Sequence, residues 1–273
     1  MSALVLALAL AATPVSHSKL GVVVLGEDAT SRALLAACPA LVVFPVPANP
    51  FVSAQLAAYR ERCAGGIAVV RVGEPGLTVD ASTVAALGPA WLRQLDGMSP
   101  DAVEGPPEPA GSPAALAEFW SAFADLVERA NLRPVVGALP ADMPGVGVPR
   151  TDPFCATADL MHPKPYTWWW SYHARSPMTA DLASETTPTL GYRQIAADCG
   201  IEGVQVVVSE AGPITGPWQP SDAAWLAWLA ASLQEDAGVL GAALSAAGTS
   251  GAASLAPVET ELAARLANPS GER

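Results

Sequence analysis

Two glutamates are the side chains of this sequence best placed to do chemistry. Glu210 directly follows a β-branched run, residues 204–209 (VQVVVS), and precedes an Ala-Gly-Pro turn. Glu108 lies in the segment V-E-G-P-P-E-P, residues 103–109. A carboxylate buried at the end of a strand is costly unless it is paired, so this position indicates a site, although Glu210 could instead anchor a loop. Two carboxyl groups about 5–5.5 Å apart can hydrolyse a glycosidic bond with retention of configuration.

The elements that must position these glutamates alternate along the chain. Short apolar runs are followed by Ala/Leu-rich amphipathic stretches, which is typical of β–α units around a parallel sheet. The clear strand candidates are residues 19–26, 40–46, 66–73, 133–139 and 203–209, and the weaker ones are 101–105, 167–173 and 239–246. The helix candidates are residues 51–63, 82–95, a helix beginning at Ser112, 180–198, a helix after Ser221, and 257–267. Glu108 and Glu210 therefore follow strands four and seven.

The number of units predicts an α/β fold, a single (β/α)8 TIM barrel. Removing residues 1–18 leaves 255 residues, and such barrels have about 250. An open, doubly wound sheet is the alternative, but residues 25–30 read LGEDAT, so no dinucleotide-binding G-x-G-x-x-G follows the first strand. In a barrel the reacting groups lie at the carboxyl ends of the strands, and strands four and seven face each other across the mouth.

Composition excludes several classes of partner. The chain has 26 Asp and Glu against 14 Lys and Arg, a formal charge of −12, which disfavours nucleic acid and anionic membrane surfaces. Four Cys and three His, without C-x-x-C or H-E-x-x-H spacing, do not supply a recognisable metal centre. We therefore expect neither a metal nor a cofactor.

The N-terminus predicts export. Residues 1–18 contain an apolar run from residue 3 to residue 12, which is the length of a signal-peptide core and too short to span a membrane, although no basic residue precedes it. An apolar segment that packs on the domain is the alternative. Export would allow disulfides, for which the sequential pairing Cys38–Cys63 and Cys155–Cys199 is the simplest, and buried free thiols are the other possibility.

Several segments in barrel order resemble clan A retaining glycoside hydrolases of bacteria. Residues 103–109 resemble the V-E-G-x-N-E-P segment after strand four, and residues 207–212 are similar to the L-T-E-G-G segment of strand seven. The other similar segments are residues 135–137 with Gly145 (strand five and its loop), residues 170–174 (W-S-Y-H-A, strand six) and residues 191–194 (G-Y-R-Q, after strand six). The resemblance covers most of residues 100–215.

The resemblance implies a role for each glutamate, and nearby residues are further candidates because of their positions on strands and loops. Glu210 is implied as the nucleophile, kept ionised by hydrogen bonds, and Glu108 as the general acid/base, with its pKa raised by apolar neighbours and by the second negative charge. Tyr172 or His173 would orient Glu210 or bind a sugar hydroxyl. Trp170 and Trp218 are candidates for sugar stacking, with packing in the core as the alternative. The last candidate is Arg71, which with Glu74 forms either a polar pair in the mouth or a surface ion pair.

The sequence also departs from the family pattern. Pro107 stands where the family has an Asn that hydrogen-bonds the sugar 2-hydroxyl, and proline has neither a side-chain donor nor an N–H. Arg175 stands where relatives often carry Tyr, and residues 244–249 (LSAAGT) lack the aromatic residue often found after strand eight.

Taken together, these patterns predict a secreted or periplasmic, monomeric glycosidase that cleaves β-linked oligo- or polysaccharides by double displacement with Glu108 and Glu210. The alternative is a degenerate TIM barrel that binds carbohydrate without cleaving it, which Pro107 favours. A structural or envelope protein without a sugar site is a third, weaker reading.

Overall fold

Eight parallel strands close into a barrel in the part of the chain that the computed structural model describes. That part comprises residues 18–140, 155, 157, 160, 167–178, 181–182, 190–200, 203–214, 216–245 and 251–267. The strands are β1 (Leu20–Val23), β2 (Leu41–Pro45), β3 (Ile67–Arg71), β4 (Ala102–Glu104), β5 (Pro134–Pro140), β6 (Trp169–Ser176), β7 (Val206–Pro213) and β8 (Val239–Leu244). Each strand pairs with the next, and β1 pairs with β8, so the sheet has no open edge. The predicted closed barrel is confirmed, and the open doubly wound alternative is wrong.

Helices cover the outside of the barrel between the strands. They are α1 (Ala29–Ala36), α2 (Val52–Arg62), α3 (Ala81–Gln94), α4 (Pro113–Arg129), α5 (Tyr192–Cys199), α6 (Ala223–Gln234) and α7 (Glu259–Ala267), with 3₁₀ segments at Pro220–Asp222 and Gly251–Val258. Ser112 caps α4 as predicted, since its hydroxyl accepts a hydrogen bond from the Ala115 N–H. Helix α1 was not predicted. Residues 1–17, Gly145 and residues 246–249, on which other predictions fall, lie outside the described residues.

Side chains alternate between two apolar layers along the strands. A small inner layer fills the barrel, and it consists of Val23, Leu41, Val43, Val69, Ala102, Val135, Trp169, Val207 and Ala243. The residues between them face outward and pack against the helices, for example Val70, Val103 and Tyr172. The polar residues of the site sit above the inner layer, where the strands end.

Two disulfides staple the outside of the barrel. Cys38 is bonded to Cys63 and Cys155 to Cys199, so the sequential pairing is confirmed and the free-thiol alternative is wrong. Among the described residues, the structure contains no helix that is both long and apolar enough to cross a membrane.

Candidate active site

Arg71 is the buried hub of the charged cluster at the barrel mouth. Its Nε donates to Glu104 Oε2 at 2.6 Å, and its Nη1 donates to Glu210 Oε1 at 2.5 Å. Arg71 and Glu104 are register partners on β3 and β4, whereas Glu210 lies across the barrel on β7. Only 3% of the Arg71 side chain and none of the Glu104 side chain is exposed. The expected pair with Glu74 is replaced by this network, and Glu74 is exposed.

A bulge in β7 turns Glu210 toward the barrel interior. Val208 and Ala211 both pack in the outer layer although they are three positions apart, which a strict two-residue alternation forbids. The pairing with β6 shifts here, from Tyr172↔Val208 to His173↔Glu210, so Ser209 is the extra residue. Arg71 Nη2 also donates to the Ser209 carbonyl at 3.2 Å, which holds the bulge.

The loop after β4 holds Glu108 over the mouth. Its backbone N–H donates to the Ala138 carbonyl at 2.8 Å, and the Gly76 N–H donates to the Pro107 carbonyl at 3.0 Å. Glu108 has a φ of 52° and Ala138 a φ of 43°, a left-handed conformation that non-glycine residues rarely adopt. The Ala138 N–H is in turn bound by Ser171 Oγ at 2.8 Å. These contacts fix a strained backbone, as is common at functional sites.

Arg175 and His173, both on β6, connect the two catalytic candidates. Arg175 Nη2 donates to Glu108 Oε1 at 2.7 Å and to Glu210 Oε2 at 2.8 Å. His173 Nδ1 lies 3.1 Å from Glu108 Oε1 and carries the hydrogen when that carboxylate is ionised, since an ionised carboxylate only accepts. His173 is fully buried, whereas 15% of the Arg175 side chain, 15% of Glu210 and 33% of Glu108 are exposed. One guanidinium nitrogen therefore lies between the two glutamates.

The surroundings favour the ionised form of both glutamates. The hydrogen bond from His173 is the main cause that lowers the pKa of Glu108 to about 2, and Arg175 lowers it further against the effect of burial. Burial works against ionisation of Glu210, but His173, Arg71 and Arg175 together lower its pKa. The sequence-based expectation of a raised pKa for Glu108 is therefore wrong for this arrangement, because the neighbours that matter are a hydrogen-bond donor and a cation rather than apolar groups.

The glutamates and His173 are also the described residues closest to a metal-binding geometry. One potential ligand atom from each of Glu108, His173 and Glu210 lies within 4.8 Å of the others. Arg175 contacts both carboxylates and would repel a cation placed between them. The position of Arg175 therefore disfavours a cation between the two carboxylates.

The structure buries three of the predicted sugar-binding residues. Trp170 and Tyr172 face outward from β6, and Tyr172 packs on Tyr192 of α5 with ring centroids 5.8 Å apart. Trp218 packs on Trp225 of α6, and its Nε1–H donates to the Ser245 carbonyl at 3.2 Å. All three side chains are fully buried, so none offers a ring face to a sugar in this structure. Trp170 and Trp218 thus follow the alternative of packing in the core, and Tyr172 is buried in the same way.

Two members of the site had no role assigned from sequence. Arg175 was noted only as a departure from the family, and Glu104 only as a neighbour of Glu108. Alternation along β6 gives a usable signal for Arg175, since His173 and Arg175 are two residues apart and face the same side. Alternation also points to Glu104, the last residue of β4, because it lies two positions after the inward-facing Ala102.

The fold is a (β/α)8 barrel, and solved structures of several glycoside hydrolases are similar to it. A glucosidase from Croceicoccus marinus has a TM-score of 0.56 at 14% identity, with 84% of this chain and 60% of the glucosidase covered. An endo-β-1,4-glucanase from Xanthomonas axonopodis pv. citri, solved as a triple mutant, has a TM-score of 0.57 at 11% identity over 84% of this chain and 90% of that one. A GH128 endo-β-1,3-glucanase from Amycolatopsis mediterranei, in complex with laminarihexaose, has a TM-score of 0.57 at 12% identity over 84% and 88%.

These neighbours share the fold, and the chain spans 60% of the length of the glucosidase. Neither the protein-family models nor the curated proteins gave a match to the sequence.

Proposed function

We propose that this protein is a retaining glycoside hydrolase acting on β-linked glycans, with Glu210 as nucleophile and Glu108 as general acid/base. The observation that carries the proposal is the placement of the two carboxylates. Glu108 follows β4 and Glu210 lies in β7, on facing sides of the same barrel mouth. One carboxylate oxygen of Glu108 lies within 4.8 Å of one carboxylate oxygen of Glu210. This is close to the separation of about 5–5.5 Å that double displacement uses, and it leaves little room for the water that an inverting enzyme places between its carboxylates.

The residues of the site fit the two steps of that reaction. A Glu210 oxygen would form a bond to the anomeric carbon while the glycosidic C–O bond breaks and Glu108 gives its proton to the leaving oxygen. Glu108 would then take a proton from water, whose oxygen displaces Glu210 and regenerates the free site. Arg71 is a positioning residue, because its ion pair keeps Glu210 charged and aimed into the mouth.

The loop that contains Pro107 supports the enzymatic reading. Proline removes the amide contact to the sugar 2-hydroxyl that the family Asn makes, but the backbone around it still presents Glu108 to the mouth through the Ala138 and Gly76 hydrogen bonds. For the substrate, the proposal specifies the β-configuration of the cleaved linkage and no particular sugar. The glucanase neighbour in complex with laminarihexaose is itself a β-1,3-glucan enzyme.

The decisive experiment measures the hydrolysis of a panel of 4-nitrophenyl β-glycosides by the native protein. Glu210→Gln should reduce kcat/KM by at least about a thousandfold, since it removes the nucleophile. Glu108→Gln should reduce it by about 10²–10⁴-fold, less for leaving groups that need no protonation. Glu118→Gln, an exposed carboxylate on α4, is the matched control and should leave the rate unchanged. Proton NMR of the first product should show the β-anomer, and full activity of Glu210→Gln would refute the mechanism.

A second candidate function is carbohydrate binding without cleavage. The observation that favours it is the Arg175 bridge, which occupies the gap between the carboxylates and helps to keep Glu108 ionised. The described residues leave no space for even a water molecule in the cleft at this point, whereas ligand sites are usually about 300–1,000 Å³. Oligosaccharide binding without turnover of any glycoside would favour this candidate.

We further propose an exported, monomeric protein whose residues 1–18 are a signal peptide. The two disulfides support an oxidising compartment, since such bonds rarely persist in the cytosol. N-terminal sequencing of the protein recovered from culture medium or periplasm would test the cleavage, and sedimentation would test the oligomeric state.

A further inference from the structure

Arg175 occupies the place that the substrate must enter. Its Nη2 atom lies 2.7 Å from Glu108 Oε1 and 2.8 Å from Glu210 Oε2, so it fills the gap between the carboxylates in which the scissile bond of a substrate would lie. The small cleft beside it is lined by Arg175 itself together with Glu210, Gly212 and Ser245. A bound sugar at the catalytic centre therefore requires the guanidinium to move away from at least one carboxylate.

If Arg175 moves away from the glutamates, its guanidinium needs another anionic partner, and the described residues do not supply one. Only 15% of its side chain is exposed, and its ion pairs among those residues are the two with Glu108 and Glu210. The third carboxylate of the mouth, Glu104, is already bound to Arg71. A guanidinium that leaves these partners while it stays largely buried loses the ion pairs that compensate for its burial, and sugar hydroxyls compensate for that loss less than an anion does.

An anionic group on the sugar would supply this partner for the Arg175 guanidinium. Guanidinium groups bind carboxylates and sulfates through two parallel hydrogen bonds, which makes them stronger and more selective than contacts to neutral hydroxyls. The exchange would also withdraw a cation from Glu108 and so favour the protonated form that acid catalysis needs. A charged substrate would thus enter the site and remove one of the causes that keep Glu108 ionised, while the larger one, the His173 hydrogen bond, remains.

We propose that Arg175 is a specificity-determining residue that selects β-glycosides of an anionic sugar, a uronic acid or a sulfated sugar, whose charged group replaces Glu108 and Glu210 as its partner. This inference rests on the proposed function, since it names the substrate class of the same site.

The test compares three chromogenic substrates that differ in charge: 4-nitrophenyl β-D-glucuronide, 4-nitrophenyl β-D-glucoside and its 6-sulfate. The native protein should prefer a charged substrate over the neutral glucoside by at least about tenfold in kcat/KM, which corresponds to about 1.4 kcal/mol. A comparison of the rates on the glucuronide and on the 6-sulfate shows whether the site prefers a carboxylate or a sulfate group. Arg175→Met should reduce the preference at least about tenfold, Arg175→Lys should retain part of it, and the exposed Arg32→Met should leave it unchanged.

The outcomes separate this inference from the proposed function. Hydrolysis of the neutral glucoside at an equal or higher rate, or an unchanged preference in Arg175→Met, would overturn the inference and leave the hydrolase intact. If no substrate is cleaved, calorimetric titration with methyl β-D-glucuronide, methyl β-D-glucoside and the 6-sulfate of that glucoside decides. Tighter binding of either charged compound that is lost in Arg175→Met supports the inference without the hydrolase. Equal or undetectable binding of all three overturns it.

Discussion

Arg71 on β3 and Glu210 on β7 form a 2.5 Å ion pair across the interior of the closed barrel. The two residues are 139 positions apart in the chain, so the contact exists only when the barrel is complete. Because Arg71 also neutralises the fully buried Glu104, one side chain links the stability of the fold to the charge of the proposed nucleophile.

Replacing Arg71 should therefore be costly. Arg71→Met leaves Glu104 as a buried, unpaired charge and removes a cation from Glu210, and breaking a buried pair in this way costs about 3–5 kcal/mol. We expect a loss of that size in the free energy of unfolding, measured with urea at pH 7. Arg71→Lys should lose less, because it keeps the charge but not the fork geometry.

The matched control for this loss is a surface ion pair. Arg60 and Asp101 are 2.6 Å apart, but their side chains are 34% and 33% exposed, and such pairs contribute up to about 1 kcal/mol. Arg60→Met should therefore cost far less than Arg71→Met. Equal losses of unfolding free energy in the two variants would show that Arg71 does not stabilise the buried carboxylates of Glu104 and Glu210.

The lowered pKa of Glu108 predicts a specific loss of stability in acid. Its pKa falls from an ordinary 4.5 to about 2 in the folded protein, so its contribution is fully present above pH 4.5 and disappears as the pH falls toward 2. Glu108→Gln has no such titration. The difference in melting temperature between the native protein and this variant should therefore shrink between about pH 5 and pH 2, and a constant difference over that range would contradict the depressed pKa.

The causes of that depression can be ranked by titration. The His173 hydrogen bond is the largest of them and the contribution of Arg175 is smaller. In carbon-13 NMR titrations of the Glu108 carboxyl, we expect the pKa to rise in both His173→Leu, which removes the donor, and Arg175→Met, and more in the former. A larger rise in Arg175→Met would place the main control of Glu108 on the guanidinium.

The sequence predicts the barrel well because its signals are local. Apolar runs bounded by turns indicate strands, and eight such runs at regular spacing match the observed β1–β8. The same logic correctly places Glu108 after strand four, but Glu210, which it places just after strand seven, lies within β7 (Val206–Pro213). Helix α1 escapes prediction because it is short and two of its three buried residues, Thr30 and Ser31, are polar, so no apolar period shows in ATSRALLA.

The site is less predictable because it depends on departures from regularity. The bulge at Ser209 reverses the facing that simple alternation gives Glu210, and nothing in the run VQVVVS announces it. The reach of Arg175 to two carboxylates on other strands, and the burial of Trp218 against Trp225, are tertiary contacts that no local pattern contains.

The two disulfides should each contribute measurably to stability. They close segments with sequence separations of 25 and 44 residues, for which loop entropy predicts about 3.5 and 4 kcal/mol. Replacing Cys38 and Cys63 by Ala should lower the free energy of unfolding by about 2–4 kcal/mol, and dithiothreitol should then have a smaller effect than on the native protein. An unchanged transition in the double variant would show that this bond is dispensable.

Gly212 is a position at which the mouth tolerates little change. It is the register partner of Arg175, and a Cβ added to it would lie 1.9 Å from the Ser245 carbonyl oxygen, a backbone atom at the end of β8. Gly212→Ala must therefore push β7 and β8 apart, with a loss of about 1–3 kcal/mol and a drop in any activity of the site. Gly26→Ala is the control, because nothing lies within 4 Å of its added Cβ, and it should change stability by less than about 0.5 kcal/mol. If urea unfolding and glycoside hydrolysis were the same for both variants, the close approach of β7 to the end of β8 would not be needed to hold the site together.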